Sequence, residues 1–222
     1  LILMRDLMHP TGSIYVHCDW RLSGYLRLAM DEVFGSSNFM AEVMWKKTTK
    51  TTSFNTYGSE HDTLFFYSTD SSHYTFNQAF TDLKESELLT KYVYLEQPNG
   101  EIITLTKAQR QGAEPLPPGR RFRGVTLLNM NPDRPNLRYE FLGHTRVWAA
   151  RKDVLEDLLR DKLIFQIEGG LPQKKGYLDK NPGAKVNDVW IDISPINSQA
   201  LEKLDYPTQK PEALVSRILE VS

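Results

Sequence analysis

"LILMRDLMHPTGSIYVHCDWRLSGYLRLAMDEVFG", residues 1–35, changes hydrophobic pattern twice. Residues 1–9 place leucine and methionine at helical spacing, and "HPTG" then interrupts the pattern. Ser13–Cys18 is a short run of β-branched and aromatic residues, which is typical of a strand. A second helical pattern follows, with Asp19 as its predicted N-cap and Gly35 as its stop. The order helix, strand, helix predicts an α/β domain built in layers.

Two more strands are predicted after this helix. "FMAEVMWKK" (39–47) and "HDTLFFYS" (61–68) are rich in apolar and aromatic residues. A polar stretch, residues 48–59, separates them. We expect the two strands to be antiparallel neighbours, joined by a long loop with a functional role.

Residues 70–165 have frequent turn residues and weaker periodicity. "EIITL" (101–105) and "YEFLG" (139–143) predict short strands, and "ARKDVLEDLLRDKLI" (150–164) predicts an amphipathic helix. Strand-like character returns in "DVWIDI" (188–193). The interruption predicts an irregular α+β region inserted between two parts of one core.

The composition excludes several classes of protein. The 222 residues have a net charge of −1 and one cysteine, Cys18, which excludes an internal disulfide framework and indicates a reducing compartment. No apolar run approaches the roughly 20 residues that span a bilayer, and the opening residues are too short and charged for a signal peptide. We therefore expect a cytoplasmic protein without a membrane partner.

Positive charge is concentrated in one segment. Residues 107–152 contain ten Lys and Arg against three acidic residues, a local net charge of +7. Such a segment indicates either a surface that faces a polyanion or a solvated basic face. Within it, "PPGRRFRG" (117–124) groups Arg120, Arg121 and Arg123. Arginine forks suit phosphates and guanine edges, so we predict nucleic-acid contact here, with an exposed basic turn as the alternative.

The usual catalytic and metal-binding signatures are absent from the sequence. No Gly-rich phosphate loop, Cys/His metal spacing or nucleophile elbow occurs. His17 and Cys18 are adjacent on a strand and point to opposite faces, which favours packing over a catalytic pair. Trp45 lies at a strand end beside Lys46, where a ring and a cation can stack on and clamp a nucleobase. Burial of Trp45 in the sheet is the alternative.

The closing stretch, "DYPTQKPEALVSRILEVS" (205–222), combines a polar corner with an amphipathic helix. Two prolines hold the chain extended around Thr208, Gln209 and Lys210, and Pro211 suits the first helical turn. The three residues between the prolines offer a hydroxyl that can cap, an amide and a cation. The corner predicts either a site for a charged small molecule or simply a well-capped helix.

Four segments carry a family resemblance: "LMRDLMHPTGSIYVHCDW", "LAMDEVFGSSNFMAEVMWKK", "HDTLFFYS" and "DVWIDISPINSQALEKLDYPTQKPEALVSRILEVS". Together they resemble beta-class bacterial site-specific DNA amino-methyltransferases, especially modification subunits and adenine methyltransferases. The resemblance covers most of residues 1–69 and 186–222, as parts of the methyltransferase core, and leaves 70–185 as an inserted target-recognition region. The implied fold is an incomplete Rossmann-like, S-adenosylmethionine-dependent methyltransferase fold of the α/β class.

The resemblance also implies a reaction and site residues. Members transfer a methyl group from S-adenosylmethionine to the exocyclic amino group of adenine in duplex DNA, with the base flipped out. Thr208, Gln209 and Lys210 would line the cofactor site, and Trp45 and Lys46 would belong to the target-base pocket. The implied partners are double-stranded DNA, a restriction subunit and a second copy in a homodimer.

Two motifs of that family are missing from this sequence. The Asp/Asn/Ser-Pro-Pro-aromatic tetrapeptide that carries catalysis would precede Leu1, and the Phe-x-Gly-x-Gly cofactor motif would follow Ser222. We therefore expect an internal fragment, inactive alone, with no catalytic residue and no metal ligand to assign. The alternatives are a non-catalytic DNA-binding module on a degenerate methyltransferase scaffold, a cytosine amino-methyltransferase, and a methyltransferase acting on RNA or another amine.

Overall fold

Strands and helices are interspersed along the chain, as the sequence predicts for a mixed α/β protein. The structure, a computed structural model, describes residues 1–47, 55, 57–197, 199–204, 206 and 208–222. The helices in these residues are α1 (Ile2–Leu7), α2 (Ser23–Phe34), α3 (Glu85–Lys91), α4 (Lys107–Arg110), α5 (Lys152–Arg160) and α6 (Glu212–Val221). The strands there are β1 (Ser13–Cys18), β2 (Phe39–Lys46), β3 (His61–Ser68), β4 (Phe80–Thr81), β5 (Tyr94–Glu96), β6 (Ile102–Thr104), β7 (Arg120–Thr126), β8 (Arg138–Phe141), β9 (His144–Val147), β10 (Ile164–Phe165), β11 (Gln173–Tyr177), β12 (Ala184–Lys185) and β13 (Val189–Trp190).

Contacts divide the chain into two units. The first unit combines Leu1–Thr81 with Ala184–Ser222, and the second unit is Asp82–Gly183. The assignment of residues 70–185 as a target-recognition region stays a prediction. Most of the predicted functional loop, residues 48–59, lies outside the described residues. Within the described ranges, no helix is both long enough and apolar enough to cross a membrane.

The principal sheet of the first unit has the strand order β1–β3–β2–β13. β3 runs antiparallel to both β1 and β2, which confirms the predicted pairing of the two strands after the second helix. β13 runs parallel to β2, with Trp190 beside Trp45. β1, β2 and β13 therefore point the same way, and their carboxyl ends meet at one edge. The mixed α/β class is confirmed, and the Rossmann-like arrangement stays a prediction.

Helices pack on both faces of this sheet. On one face, Met30 and Phe34 of α2 pack against Phe65 and Tyr67 of β3. On the other face, Leu214 of α6 packs against the buried tryptophans of β2 and β13. Each buried apolar side chain contributes about 1.5–3 kcal/mol. Two covered faces explain why the predicted strands contain continuous apolar runs rather than strict alternation.

Several element ends differ from the prediction. Asp19 is not the N-cap of α2, which begins after Leu22. The carboxylate of Asp19 instead accepts the backbone N–H of Arg21 at 3.0 Å and forms an ion pair with the Arg21 side chain. The strand predicted at 188–193 shortens to Val189–Trp190, since only those residues pair with β2. The helix predicted at 150–164 is shorter because Lys162 adopts a positive φ of 56°.

The second unit contains an antiparallel sheet of order β10–β11–β7–β5–β6 and the hairpin β8–β9. Phe122 of β7 is fully buried, with the rings of Tyr94 and Phe165 centred 5.5 and 5.0 Å away. A separate core beneath the hairpin is built on Trp148 and Leu155, both fully buried. The short strands predicted at 101–105 and 139–143 correspond to β6 and β8.

The interpretation of residues 117–124 as an exposed basic turn is wrong. Arg120–Thr126 form β7, which pairs with β5 on one side and β11 on the other. The chain enters this strand through Gly119, at a φ of 154°, where a Cβ atom would lie 2.4 Å from the carbonyl oxygen of Glu96. Only glycine fits that approach. The Pro-Pro-Gly segment signals the turn, and the strand that follows is fixed by burial of Phe122.

Candidate functional site

Titratable side chains cluster at the sheet edge where β1, β2 and β13 end. His17 is near the end of β1, Lys47 directly follows β2, and Asp62 is near the start of β3. The strand register places His17, Trp45 and Asp62 on the same face of the sheet. Ligands of α/β sheets bind outside the carboxyl ends of the strands. This edge is therefore the candidate site of the first unit.

Asp62 is the centre of the cluster. Its largely buried carboxylate accepts a hydrogen bond from Lys47 Nζ at 2.6 Å, and His17 Nε2 lies 3.1 Å from its other oxygen. Burial lowers the pKa of His17 below its usual value; the charge of Asp62 opposes this shift, and Lys210 and Lys47 add to it. A largely neutral imidazole and a paired lysine thus stand side by side, offering a ligand both donors and acceptors.

The polar corner before α6 is held by side chains of its own loop. Gln209 uses both ends of its amide: Nε2 donates to the carbonyl of Glu202 at 2.6 Å, and Oε1 accepts the N–H of Leu204 at 2.7 Å. The Glu202 carboxylate accepts the N–H of Glu212, the first residue of α6, at 2.8 Å. A carboxylate at this position also suits the helix dipole. Gln209 and Glu202 therefore fix the corner to the start of the helix.

Lys210 connects the corner to the sheet edge. Its ammonium donates to the carbonyl of Thr208 at 2.8 Å, and its charge acts on His17. The predicted capping role of Thr208 is wrong, because Pro211 is the N-cap and Glu202 supplies the carboxylate. Within the part of the chain that the structure describes, the exposed Thr208 hydroxyl has no side-chain hydrogen bond. Thr208 and Lys210 thus have donors left to offer to a ligand.

A family model described as DNA methylase, of the N6 and N4 type, matches residues 1–222. The chain belongs to this DNA methylase family. The resemblance to DNA amino-methyltransferases is thereby confirmed over the full length of the sequence.

Curated relatives of this chain include restriction–modification proteins. It is 25% identical over 236 residues to the Type III restriction-modification enzyme StyLTI Mod subunit of Salmonella typhimurium (strain LT2), and 23% identical over 223 residues to the Type II methyltransferase M.EcaI of Enterobacter cloacae. Both matches cover 100% of this chain, which spans 33% and 45% of those relatives. The Type III restriction-modification enzyme EcoP15I Mod subunit of Escherichia coli is 31% identical over 67 residues, 30% of this chain and 10% of the relative.

The two residues predicted for the target-base pocket have different environments. Trp45 is only 3% exposed, and its indole N–H donates to the carbonyl of Ile193 at 2.9 Å. This burial corresponds to the alternative in which Trp45 packs within the sheet. Lys46 lies 3.5 Å from the carboxylate of Glu60 and is partly exposed. Their assignment to a target-base pocket stays a prediction.

The three arginines predicted to contact DNA all have partners within the second unit. Arg120 pairs with both carboxylate oxygens of Asp179 at 2.9 Å. Arg121 donates to two backbone carbonyls, each at 2.7 Å, and burial lowers its pKa. Arg123 lies 3.7 Å from Glu87 in a weaker ion pair. Their role in DNA binding stays a prediction, and Arg121 has a clear structural role.

Sequence reasoning missed the Asp62 cluster and one aromatic cavity. The signal for the cluster was an acidic residue at the start of an otherwise apolar strand. The cavity, about 210 Å³, is lined in part by Tyr15, Phe66 and Trp190. Tyr15 stacks on Phe66 with ring centres 4.5 Å apart, and burial raises the pKa of Tyr15 to about 12. Tyr15 and Phe66 lie further from the carboxyl end of β1 than His17 does. The cavity is therefore distinct from the Asp62 cluster.

Proposed function

We propose that this chain is part of a site-specific enzyme that transfers a methyl group from S-adenosylmethionine to the exocyclic amino group of adenine in duplex DNA. The observation that carries the proposal is the match of the DNA methylase family to residues 1–222. The names of the relatives, a Type III restriction-modification Mod subunit and a Type II methyltransferase, support restriction–modification as the setting. A restriction subunit and a second copy of the chain are the partners of this proposal. The cytoplasm, where duplex DNA is accessible, is the proposed location.

The geometry of the first unit supports this proposal. Three strands end together at the edge that carries the Asp62 cluster, which is the common ligand position in α/β sheets. The charge of Lys210 acts on His17 in addition to the charge of Lys47. A site that combines neutral and cationic donors suits a zwitterionic cofactor beside a polyanionic substrate.

The corner residues fit S-adenosylmethionine in part. The Lys210 ammonium suits the carboxylate of its methionine moiety, and the Thr208 hydroxyl suits its polar groups. Gln209 does not fit a direct contact, since both ends of its amide bind the chain. Gln209 would instead position Thr208 and Lys210. When bound, the cofactor would supply an electrophilic methyl group on its sulfonium.

The direct test is to express the open reading frame that encodes this chain in a bacterial host without DNA methylation. Sequencing of the host DNA by a method that separates N6-methyladenine from N4-methylcytosine reads the product. N6-methyladenine at one recurring sequence is expected. N4-methylcytosine would select the cytosine alternative, and DNA binding without any modified base would select the non-catalytic module.

The cofactor assignment is tested by the kinetics of methyl transfer from labelled S-adenosylmethionine. Lys210→Met should raise the KM for the cofactor about tenfold or more, because a hydrogen bond to a charged group is worth about 1.5–3 kcal/mol. Lys203→Met, a charge-matched change in the loop before the corner, is the control. An unchanged KM in Lys210→Met would remove Lys210 from the cofactor site.

A further inference from the structure

The hairpin β8–β9 carries two arginines that form no ion pair with other described residues. Arg138 and Arg146 are exposed, and among the residues described neither forms an ion pair. Arg146 donates only to the carbonyl of its neighbour Thr145, at 2.9 Å. Both arginines belong to the basic segment 107–152. The positive charge of that segment is therefore more available here than at Arg120 and Arg121, which are held internally.

Atoms of both arginines line one depression on the second unit, and the register, which pairs Arg138 with Val147 and Tyr139 with Arg146, starts the two side chains on opposite faces of the hairpin. The depression has a volume of about 380 Å³, and no carboxylate is among its lining residues. Met130 lines the same depression and is 90% exposed. A depression with two arginines and no acid attracts an anion, and a fully exposed thioether gains free energy when an apolar surface covers it.

The loop that presents Met130 is held in place. The N–H of Asn129 donates to the carbonyl of Val147 in β9 at 2.9 Å. The side chain of Asn129 accepts the N–H of Asn131 at 2.9 Å, and the side chain of Asn131 accepts the N–H of Asp133 at 2.9 Å. Met130 is thus exposed on an ordered loop that is anchored to the same hairpin as the arginines.

We propose that the hairpin β8–β9 and the 128–134 loop form a surface that contacts duplex DNA. Arg138 and Arg146 bind backbone phosphates, and Met130 contacts the exposed faces or edges of bases. Phosphate contacts give affinity and position, whereas an apolar side chain that meets thymine methyl groups or a base step discriminates between sequences. This assignment rests on the proposed function, which makes duplex DNA the substrate.

The test separates charge from apolar contact. In the product of the reading frame that encodes this chain, Arg138→Gln combined with Arg146→Gln should weaken duplex binding about tenfold or more. It should also reduce the slope of log affinity against log salt by about two. Arg151→Gln combined with Lys152→Gln removes the same charge from the same segment. There the partners are Asp153 and Glu156, so the change in binding should be small.

Met130→Ala tests the base contact. It should leave the salt slope unchanged and should reduce discrimination between the methylated sequence and single-base variants about tenfold, measured as ratios of kcat/KM. All three side chains are exposed, so thermal melting should match that of the unmodified protein. If the arginine pair behaves like the control pair, or if Met130→Ala preserves discrimination, the corresponding contact is refuted.

The outcomes distinguish this inference from the proposed function. DNA methylation that persists with unchanged affinity and salt slope in the arginine variant overturns the hairpin surface and leaves the proposed function standing. An unmodified protein that neither binds nor methylates duplex DNA overturns both. Tighter binding of single-stranded RNA than of duplex DNA, lost in the arginine variant, also overturns the assignment to duplex DNA.

Discussion

Replacing Glu96 by Gln should destabilise the second unit by about 3 kcal/mol. Lys175 is buried, with a side chain only 5% exposed, and its ammonium donates to Glu96 at 2.7 Å. Removing one partner of a buried ion pair costs about 3–5 kcal/mol because the remaining charge is left uncompensated. The Glu96 side chain is 20% exposed, so the lower end of that range applies.

The partner substitution and the double variant complete a thermodynamic cycle. Lys175→Met should cost about 2 kcal/mol, because Glu96 keeps the hydrogen bond from Tyr177 and some contact with water. The double variant, Glu96→Gln with Lys175→Met, contains no buried charge at this position. It should therefore lie within about 2 kcal/mol of the unmodified protein, far from the sum of the single losses.

These losses of unfolding free energy are measured by urea unfolding in which hydrogen exchange of peptides from β5, β7 and β11 is the readout. A signal from the whole chain would mix two units, whereas amide exchange in these strands reports the second unit. Single losses below about 0.5 kcal/mol, or a double variant equal to the sum of the singles, would refute the reasoning.

Acid should remove the same stabilisation. Burial acts to raise the pKa of Glu96, but hydrogen bonds from Lys175 and Tyr177 and nearby positive charges outweigh it and lower the pKa below 4.5. A carboxylate with a lowered folded-state pKa stabilises fully above its unfolded pKa and loses that contribution as pH falls through the folded value. Stability measured from pH 6 downward should fall less steeply in Glu96→Gln.

Three further changes test other parts of the structure. Leu142→Asn should stabilise the hairpin β8–β9 by about 1 kcal/mol, because Leu142 has a φ of 47° in a tight turn before Gly143 and Asn-Gly suits that turn; an unchanged melting temperature would contradict this. Trp45→Phe should cost about 1–3 kcal/mol, because the carbonyl of Ile193 loses its donor, and urea unfolding followed by exchange in β2 measures the loss. Asp62→Asn should lower the pKa of His17 further, since the negative charge that opposes the effect of burial is removed while Lys47 remains. A rise in the pKa of His17, measured by NMR titration, would show that the carboxylate is not the dominant charge.

Local sequence signals predicted the elements whose burial is local. β1 and β3 have the predicted bounds because each is an apolar run between turn residues that fills both faces of a sheet. β7 was misread, because its arginines look like a turn until Phe122 is known to be buried between two neighbouring strands. Strand pairings between segments distant in sequence, such as β7 with β11, could not be predicted from local patterns.

The same limit applies to the site. The sequence predicts Thr208, Gln209 and Lys210 as site residues, and that role stays a prediction. The contacts of Gln209 with Glu202 and Leu204 could not be predicted, because they depend on how the loop folds back. The three members of the Asp62 cluster, at the sheet edge, come from three different strand ends. No spacing rule connects His17 to Asp62, and only the strand register brings them together.

The short pairing of β4 with β12 has a consequence for how such proteins diversify. Thr81 faces Ala184, and the side chain of Gln78 bonds to the carbonyls of both Ala79 and Val186. The chain therefore leaves the first unit and returns to it at adjacent points, so a foreign segment needs only two neighbouring ends to take the place of Asp82–Gly183. Under the proposed function, one recombination event at this junction could give a lineage a new recognised sequence while its catalytic chemistry is inherited intact.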